Sequence, residues 1–311
     1  MIFSLNATVP VFSMMVLGYL LHNKTRLLDS RFADCLNTFV FQVALPVQLF
    51  QNLATSDFHT IWNGGVVVFC FVTSLLSILL LLGLSFLLRE TGLRAEFIQA
   101  GYRGSQALLG TALMQNIYGS SGPLALVLIG AVPLYNVAAV LLLTLMVPGG
   151  RLDRKALGKA AKGIVTNPII LGIAVGLLWS LLKIPQPVIL QRSVSSLAAT
   201  ATPLGLLALG ASIEPRKVLG CWKPTVVSSV FKLLVFGALF LPVAIHLGYR
   251  GEVLVVILIM LASPATVSCF NMARSMGHEG TLSAGTVVLT TVCSAFTFTL
   301  WLYILRTLAL I

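Results

Sequence analysis

The stretch VVILIMLASPATVSCFNMARSMG, residues 255–277, contains an interruption inside an otherwise long apolar helix. Pro264 lies near its middle, among small and polar neighbours. A proline inside a helix removes one backbone donor and clashes with the preceding turn, which frees carbonyl groups at that level. In a bilayer, freed backbone groups are tolerated only where protein or a water-filled cavity satisfies them. The stretch predicts a broken membrane helix at a cavity, with an ordinary proline kink as the alternative interpretation.

The first half of the chain contains a matching interruption. The stretch EFIQAGYRGSQALLGTALMQNIYG, residues 96–119, has glycine and polar residues at the corresponding level. Much of the first half recurs 158 positions later: Thr8, Pro10, Gly18, Ser105, Met114 and Gly119 return as Thr166, Pro168, Gly176, Ser263, Met272 and Gly277. Pro46 returns one residue out of step, as Pro203. This pattern indicates two homologous halves.

The composition indicates a membrane protein. Hydrophobic residues make up 58% of the sequence and charged residues only 9%, whereas soluble domains contain about 25% charged residues. Apolar stretches of about 20 residues, long enough to cross a hydrocarbon core, recur along the chain. We predict an all-α fold with ten transmembrane helices, at residues 5–21, 36–54, 62–88, 97–118, 123–147, 164–182, 189–212, 225–247, 252–273 and 281–308.

Each half contains five predicted spans, and an odd number makes the second half enter the membrane upside down. The predicted organisation is a five-helix repeat at 1–148, a basic cytoplasmic linker at 149–163 and a second, inverted five-helix repeat at 164–311. Matched halves of opposite orientation are typical of alternating-access transporters.

The distribution of basic residues predicts the orientation. Most Lys and Arg residues follow odd-numbered spans, including five in the 149–163 linker. Basic loops stay in the cytoplasm, so both termini are predicted outside, in a multi-pass protein of the cell inner (cytoplasmic) membrane. The formal net charge of +11 is interpreted as topogenic charge beside anionic lipid headgroups. Nucleic-acid binding is not indicated, because no aromatic residues are interleaved with these charges.

Cofactor and enzyme chemistry are not indicated. The five cysteines are scattered and mostly inside apolar runs, which favours neither a disulfide framework nor a zinc site. An intramembrane enzyme would need a nucleophile and base, or an acid pair, within the spans. The sequence has no GxSxG or HExxH motif and no paired intramembrane aspartates.

The two interruptions together predict a binding site. If the broken helices cross, two half-helix N-termini point at one place, each with unpaired amide donors and a partial positive charge. Such a place suits an anion, above all a carboxylate. The predicted substrate contacts there are Gly104, Ser105, Gln106, Ser263, Pro264, Ala265 and Thr266.

Two cations inside predicted spans extend this hypothesis. Arg103 precedes the first interruption, and a guanidinium can bind a carboxylate through two hydrogen bonds. Lys232 lies about seven residues into the eighth span, where a charge usually faces a cavity or a partner. Both are predicted substrate contacts, with snorkelling toward the cytoplasmic surface as the alternative. Asn136 and Asn271 are also candidates, with interhelical hydrogen bonding as the alternative.

The remaining polar residues bear on ion coupling. Every Asp and Glu lies in a predicted loop or at a span end, so no acid is predicted to face the two cations. This disfavours a carboxylate proton relay or a charged sodium cage. Proton or sodium coupling through serine and backbone carbonyls, and simple uniport, remain open.

Gln48 and Gln51 are predicted either to face the cavity or to lie at the outer interface.

Several stretches make the chain similar to the auxin efflux carrier family, which includes plant PIN proteins and bacterial malate and malonate permeases. They are ASPATVSCFNMARSMG, TNPIILGIAVGLLW, TPLGLLALGASIEP, VVLTTVCSAFTFTLWLYIL, VALPVQLF and PLYNVAAV. The resemblance is colinear over essentially the whole chain. One departure is Gly104-Ser105, where relatives commonly have Gly-Asn.

The resemblance implies a fold related to bile-acid transporters and sodium/proton antiporters. Helices one, two, six and seven would form a scaffold, through which two chains could pair as a homodimer. The other six, with helices four and nine unwound and crossing, would carry the substrate in an elevator-like shift.

The leading functional prediction is a secondary transporter for a small organic (di)carboxylate anion such as malonate or malate, bound at the helix four/nine crossover. The alternatives are a passive anion channel and a membrane sensor or scaffold on a transporter fold.

Overall fold

The computed structural model describes residues 2–25, 28–55, 63–106, 110–119, 123–147, 158, 162–163 and 165–311. These residues form α1 (Ile2–Leu20), α2 (Ser30–Ala54), α3 (Gly64–Ser85), α4a (Arg94–Tyr102), α4b (Thr111–Tyr118), α5 (Leu124–Leu145), α6 (Pro168–Leu181), α7 (Val188–Ser212), α8 (Trp222–His246), α9a (Gly251–Ala262), α9b (Ser268–Ser275) and α10 (Thr281–Thr307). Helices α2 and α8 each contain a π-helical turn, at Val40–Ala44 and Phe231–Val235. Most of the predicted 149–163 linker lies outside the described residues.

Six helices in the described ranges are long and apolar enough to cross a membrane: α2, α3, α5, α7, α8 and α10. Helices α6 and α9a are apolar but shorter, at 14 and 12 residues. The protein is therefore an all-helical membrane protein in the part of the chain that the structure describes, as its composition predicted.

Helix α2 begins earlier than the predicted start at residue 36. Asp29 lies before its first turn, and its side chain accepts a hydrogen bond of 2.7 Å from the backbone N–H of Phe32. This cap satisfies one free donor of the first turn. Several residues after Asp29 are polar, so the hydropathy pattern did not show where the helix begins. The capped first turn is helical without apolar surroundings.

Glycines bring helix backbones into close contact at two crossings. A Cβ on Gly18 of α1 would collide with the carbonyl oxygen of Leu207 in α7. A Cβ on Gly176 of α6 would lie 2.9 Å from the carbonyl oxygen of Phe50 in α2. Small residues permit such close packing between membrane helices. These contacts join α1 to α7 and α2 to α6.

Helix α9a forms the centre of the core. Every residue from Leu254 to Ala262 is at most 3% exposed, and α3, α4b, α5, α8 and α10 pack around it. Other parts of the protein therefore surround this apolar helix on all sides. The end of α9a, and the break that follows it, therefore lie inside the protein.

The breaks in the fourth and ninth helices contact each other. Gly104 and Ala265 form an isolated antiparallel bridge, and the N–H of Ser105 donates a 2.9 Å hydrogen bond to the carbonyl oxygen of Pro264. The N–H of Ala265 donates to Thr290 Oγ1 in α10 at 3.0 Å. The extended segments thus satisfy part of each other's backbone, as buried polar groups require.

Candidate functional site: a cavity at the helix crossover

A cavity of about 90 Å³ lies beside the two breaks. One wall comes from α2, α6 and α7, through Leu45, Gln48, Leu49, Ile169 and Thr202. The opposite wall comes from the breaks and α5, through Arg103, Gly104, Ser105, Gln106, Asn136, Thr266 and Ser268. The cavity therefore separates two groups of helices at the level where α4 and α9 are interrupted.

Arg103 is the charged residue of the cavity wall. Its side chain is only 4% exposed. Its guanidinium donates to Asn136 Oδ1 at 2.8 Å, to Ser268 Oγ at 3.1 Å and to Met272 Sδ at 2.7 Å. The ion pairs found among the described residues, Lys217–Glu214 and Arg274–Asp34, do not include Arg103.

The neutral partners fix the position of Arg103 without cancelling its charge. Asn136 also donates from Nδ2 to the carbonyl oxygen of Val132 at 2.8 Å, which orients its Oδ1 toward the guanidinium. A buried cation with only neutral partners is electrostatically incomplete, because charges in a low-dielectric interior are stable when paired. An anion in the cavity would supply the missing charge.

Uncharged donors accompany Arg103. Gln106 is 3% exposed, and its Nε2 has no hydrogen-bond partner among the described residues. The hydroxyls of Thr266 and Ser268 lie 3.2 Å apart. Ser268 is also the first residue of α9b, and the positive end of a helix dipole favours an anion. The wall can therefore donate several hydrogen bonds to a negatively charged oxygen.

Lys232 lies at the same crossover, but its ammonium group contacts main-chain carbonyls of the two broken helices. It is 1% exposed, and its Nζ donates to the carbonyl oxygens of Met260 at 2.9 Å, Tyr102 at 3.3 Å and Leu261 at 3.4 Å. These carbonyls belong to the last turns of α4a and α9a. Each break therefore presents a C-terminus as well as the expected N-terminus, and the C-termini converge on a cation.

The structure brings together six of the predicted site residues in the cavity wall: Arg103, Gly104, Ser105, Gln106, Asn136 and Thr266. The other five, Ser263, Pro264, Ala265, Asn271 and Lys232, are absent from that wall. Pro264 and Ala265 form the backbone contacts of the crossover. The carbonyl oxygen of Asn271 accepts from Asn37 Nδ2 in α2 at 3.4 Å.

Sequence reasoning missed several polar residues of the cavity wall, among them Asn52, Tyr135 and Thr202, and one buried acid. Ser268, one of the small and polar residues around Pro264, also lines the cavity but was not among the predicted substrate contacts. Glu96, at a predicted span end, is 1% exposed and accepts the N–H groups of Gly280 at 2.9 Å and Ser283 at 3.0 Å. Its carboxylate caps the start of α10, so it does not pair with either buried cation.

A second cavity, of about 690 Å³, lies at the end of the molecule where α2 begins. Its wall includes Asp34, Arg216, Lys217 and Arg274. No group of three or more His, Cys, Asp and Glu residues that could hold a metal ion occurs in the described part of the chain.

Paired helix breaks that meet at a cavity between two helix groups are typical of membrane transport proteins. In agreement with this class, residues 3–302 match the family model described as "Membrane transport protein". The chain belongs to this family, the auxin efflux carrier family. It is therefore a membrane transporter and not an enzyme.

The chain is similar, at low sequence identity, to proteins named as transporters and efflux carriers. The chain is 25% identical over 311 residues to the Rhizobium meliloti protein named "Putative malonate transporter", covering 97% of this chain and 96% of the relative. It is 28% identical over 168 residues to "Auxin efflux carrier component 3a" of Oryza sativa subsp. japonica, covering 51% of this chain and 27% of that protein. It is 27% identical over 150 residues to "Auxin efflux carrier component 3" of Arabidopsis thaliana, covering 46% and 23%.

Proposed function

We propose that this chain is a secondary transporter that moves a small organic dicarboxylate, of the malonate or malate class, across the cytoplasmic membrane by alternating access. The substrate binds in the cavity at the helix crossover. The observation that carries this proposal is the buried Arg103 guanidinium, which lines the cavity and has only neutral partners among the described residues.

The donors around Arg103 favour a carboxylate. A guanidinium and a carboxylate can form two parallel charge-assisted hydrogen bonds. Further substrate oxygens can accept hydrogen bonds from the unpartnered Nε2 of Gln106 and from the hydroxyls of Ser105 and Thr266. A cation or a wholly apolar solute would leave these donors and the positive charge unsatisfied, at a cost of about 1–3 kcal/mol for each buried group.

The size of the cavity favours a small substrate. Pockets for drug-sized ligands have volumes of about 300–1,000 Å³, whereas this cavity has about 90 Å³. It therefore suits an acid with few carbon atoms. The name of the full-length Rhizobium meliloti relative supports malonate as the first substrate to test.

Two matched features support ten transmembrane helices in two inverted repeats, at 1–148 and 164–311. Gly18 and Gly176 are 158 positions apart, and their close contacts, Leu207 and Phe50, are 157 positions apart. The contact of α1 with α7 therefore has its counterpart in the contact of α6 with α2. Gly119 and Gly277, again 158 positions apart, both adopt left-handed backbone conformations, with φ of 73° and 87°.

The position of the cavity supports alternating access. Its walls belong to two helix groups, so a shift of one group relative to the other would change which side of the membrane the cavity faces. On the basic end of the protein, Arg274 of α9b contacts Asp34 of α2 at 3.2 Å, and Asn37 donates to Ser275 at 3.0 Å. With both termini outside, these contacts close the cytoplasmic side. Pairing of two chains through α1, α2, α6 and α7 stays a prediction.

The test is uptake of labelled malonate and malate into proteoliposomes, with sodium and proton gradients imposed separately. Saturable uptake that competes with the unlabelled acid is expected. Accumulation driven by one gradient would name a coupling ion, and equilibration without accumulation would indicate uniport.

The variant Arg103→Ala should take up the acid with a much weaker apparent affinity, whereas Arg192→Ala, at an exposed position of α7, should behave as the wild type. Flux that does not saturate would instead favour a channel. Substrate binding without flux would favour a sensor, and absence of both would remove the dicarboxylate assignment.

A further inference from the structure

Three backbone carbonyls at the crossover face one ammonium group. Helix α4a ends at Tyr102 and α9a at Ala262, and the last carbonyls of a helix lack intrahelical partners. Nζ of Lys232 lies 2.9–3.4 Å from the carbonyl oxygens of Tyr102, Met260 and Leu261. One side chain thus bonds to the free ends of both broken helices.

The electrostatics of this arrangement match those of a cation site. Each helix C-terminus carries a partial negative charge of about −0.5, so two converging C-termini attract a single positive charge. The ion pairs among the described residues do not include Lys232. In transporters with broken helices, half-helix C-termini and unwound carbonyls are also the groups that coordinate Na⁺.

The surroundings of Lys232 are built to hold the amine in place. Lys232 lies in the π-helical turn Phe231–Val235, a feature that often marks functional sites. A Cβ on Gly104 would collide with Ser263 Oγ and would lie 2.9 Å from Nζ of Lys232. A side chain at position 104 would therefore displace the amine.

The two sequence-based interpretations of Lys232 do not describe this geometry. A snorkelling lysine would reach the surface, but Lys232 is 1% exposed. A substrate contact would line the cavity, but Lys232 is not part of its wall.

We propose that Lys232 is a tethered internal cation that takes the place of a bound monovalent metal ion at the crossover, so that transport by this chain requires no Na⁺. The transport part of this inference rests on the proposed function, whereas the cation site does not. Removing the amine while leaving the space open should create a site for a free monovalent cation, such as Na⁺ or methylammonium, between the carbonyls.

A pair of variants separates charge from space. Lys232→Ala removes the amine and leaves room for an ion, whereas Lys232→Met removes the charge but fills the same space with an apolar chain. Purified wild-type and variant proteins would be melted in sodium chloride, methylammonium chloride and N-methylglucamine chloride at equal ionic strength. The organic cation N-methylglucamine is too large for the site.

We expect sodium or methylammonium to raise the melting temperature of Lys232→Ala by roughly 2–4 °C relative to N-methylglucamine. The wild type and Lys232→Met should respond to neither cation. In proteoliposomes with a transported acid, the wild-type protein should take up the acid equally well in sodium and in N-methylglucamine. The Lys232→Ala protein should take up the acid in sodium or methylammonium but not in N-methylglucamine.

Two results would overturn the inference. The first is a wild-type protein whose stability or uptake rises with Na⁺, since a separate sodium site would then exist. The second is a Lys232→Ala protein that melts at the same temperature in all three salts, whether stable or destabilised. The melting measurements need no substrate, so they test the cation site even if the dicarboxylate assignment fails.

Discussion

The cavity side and the inner side of the crossover each hold one buried cation, but the two cations have different partners. Arg103 contacts side chains: an amide oxygen, a hydroxyl and a thioether. Lys232 contacts the main-chain carbonyls that the helix breaks release. The breaks themselves therefore bind the lysine, whereas the neutral side chains only orient the arginine. From this difference we propose that the lysine charge stabilises the fold and that the arginine charge binds a ligand.

The largest effect is expected for Lys232→Met. Loss of the amine leaves three buried carbonyls without their donor, at about 1–3 kcal/mol each. The maximal uptake rate should fall at least about 100-fold, and the melting temperature should fall with it. Transport assays over a range of substrate concentrations, with melting curves, would measure both effects. The control is Lys223→Met, an exposed lysine of the same helix.

One outcome for Lys232→Met would contradict the difference between the two cations and indicate that both bind substrate. If the apparent KM rises while the maximal rate and the stability are unchanged, Lys232 is a substrate contact after all.

Arg103→Ala should produce the next largest effect, on affinity. Truncating one member of a buried charge pair costs about 2–5 kcal/mol, so the apparent affinity for the dicarboxylate should fall at least about 30-fold. The melting temperature without substrate should change little, because removal of the unpaired charge offsets the loss of its hydrogen bonds to Asn136 and Ser268. Substrate-dependent melting shifts would measure the affinity, and an unchanged affinity would contradict a ligand role for Arg103.

Gly104→Ala should affect both sides of the crossover at a smaller magnitude. The added methyl group would collide with Ser263 Oγ and crowd Nζ of Lys232, and overpacking costs about 1–3 kcal/mol. Ser263 Oγ has no hydrogen-bond partner among the described residues, so Ser263→Ala should be nearly neutral.

The double variant Gly104→Ala/Ser263→Ala should therefore recover part of the lost uptake and stability. A double-mutant cycle would measure this coupling. Strict additivity of the two substitutions would contradict the predicted contact.

Asp34→Asn should produce the smallest effect. The Asp34–Arg274 pair is 3.2 Å long, but its side chains are 53% and 41% exposed, and exposed pairs contribute about 0–1 kcal/mol. Uptake should change less than about threefold, and the change should disappear in high salt. Rates measured at two ionic strengths would test this. A change as large as that of Arg103→Ala would assign this exposed pair a much stronger role in closure.

The sequence was most informative where a local pattern has a local consequence. Pro264 predicted the interruption of helix nine because proline disrupts its own turn, and α9a ends at Ala262 while α9b begins at Ser268. The glycine-rich stretch at Gly104 likewise predicted the break after Tyr102. Arg103 was recognisable as unusual because a charge inside an apolar span is costly.

The partners of the freed backbone groups could not be predicted in the same way. Lys232 is 130 positions from Tyr102, and Glu96 is 184 positions from Gly280. Hydropathy assigns Glu96 to a span end and does not report that the side chain is buried against α10. Such contacts depend on which faces of distant helices pack together.

The sequence by itself determined an apolar chain with two interrupted helices, because composition and backbone breakers act over one or two helical turns. Only the tertiary structure decided which groups each interruption contacts. The packing of α8 against the crossover brings Lys232 to the free carbonyls, while the position of α5 brings Asn136 to Arg103. The free energy of a buried charge depends on the groups that surround it, and those groups come together only when the chain folds.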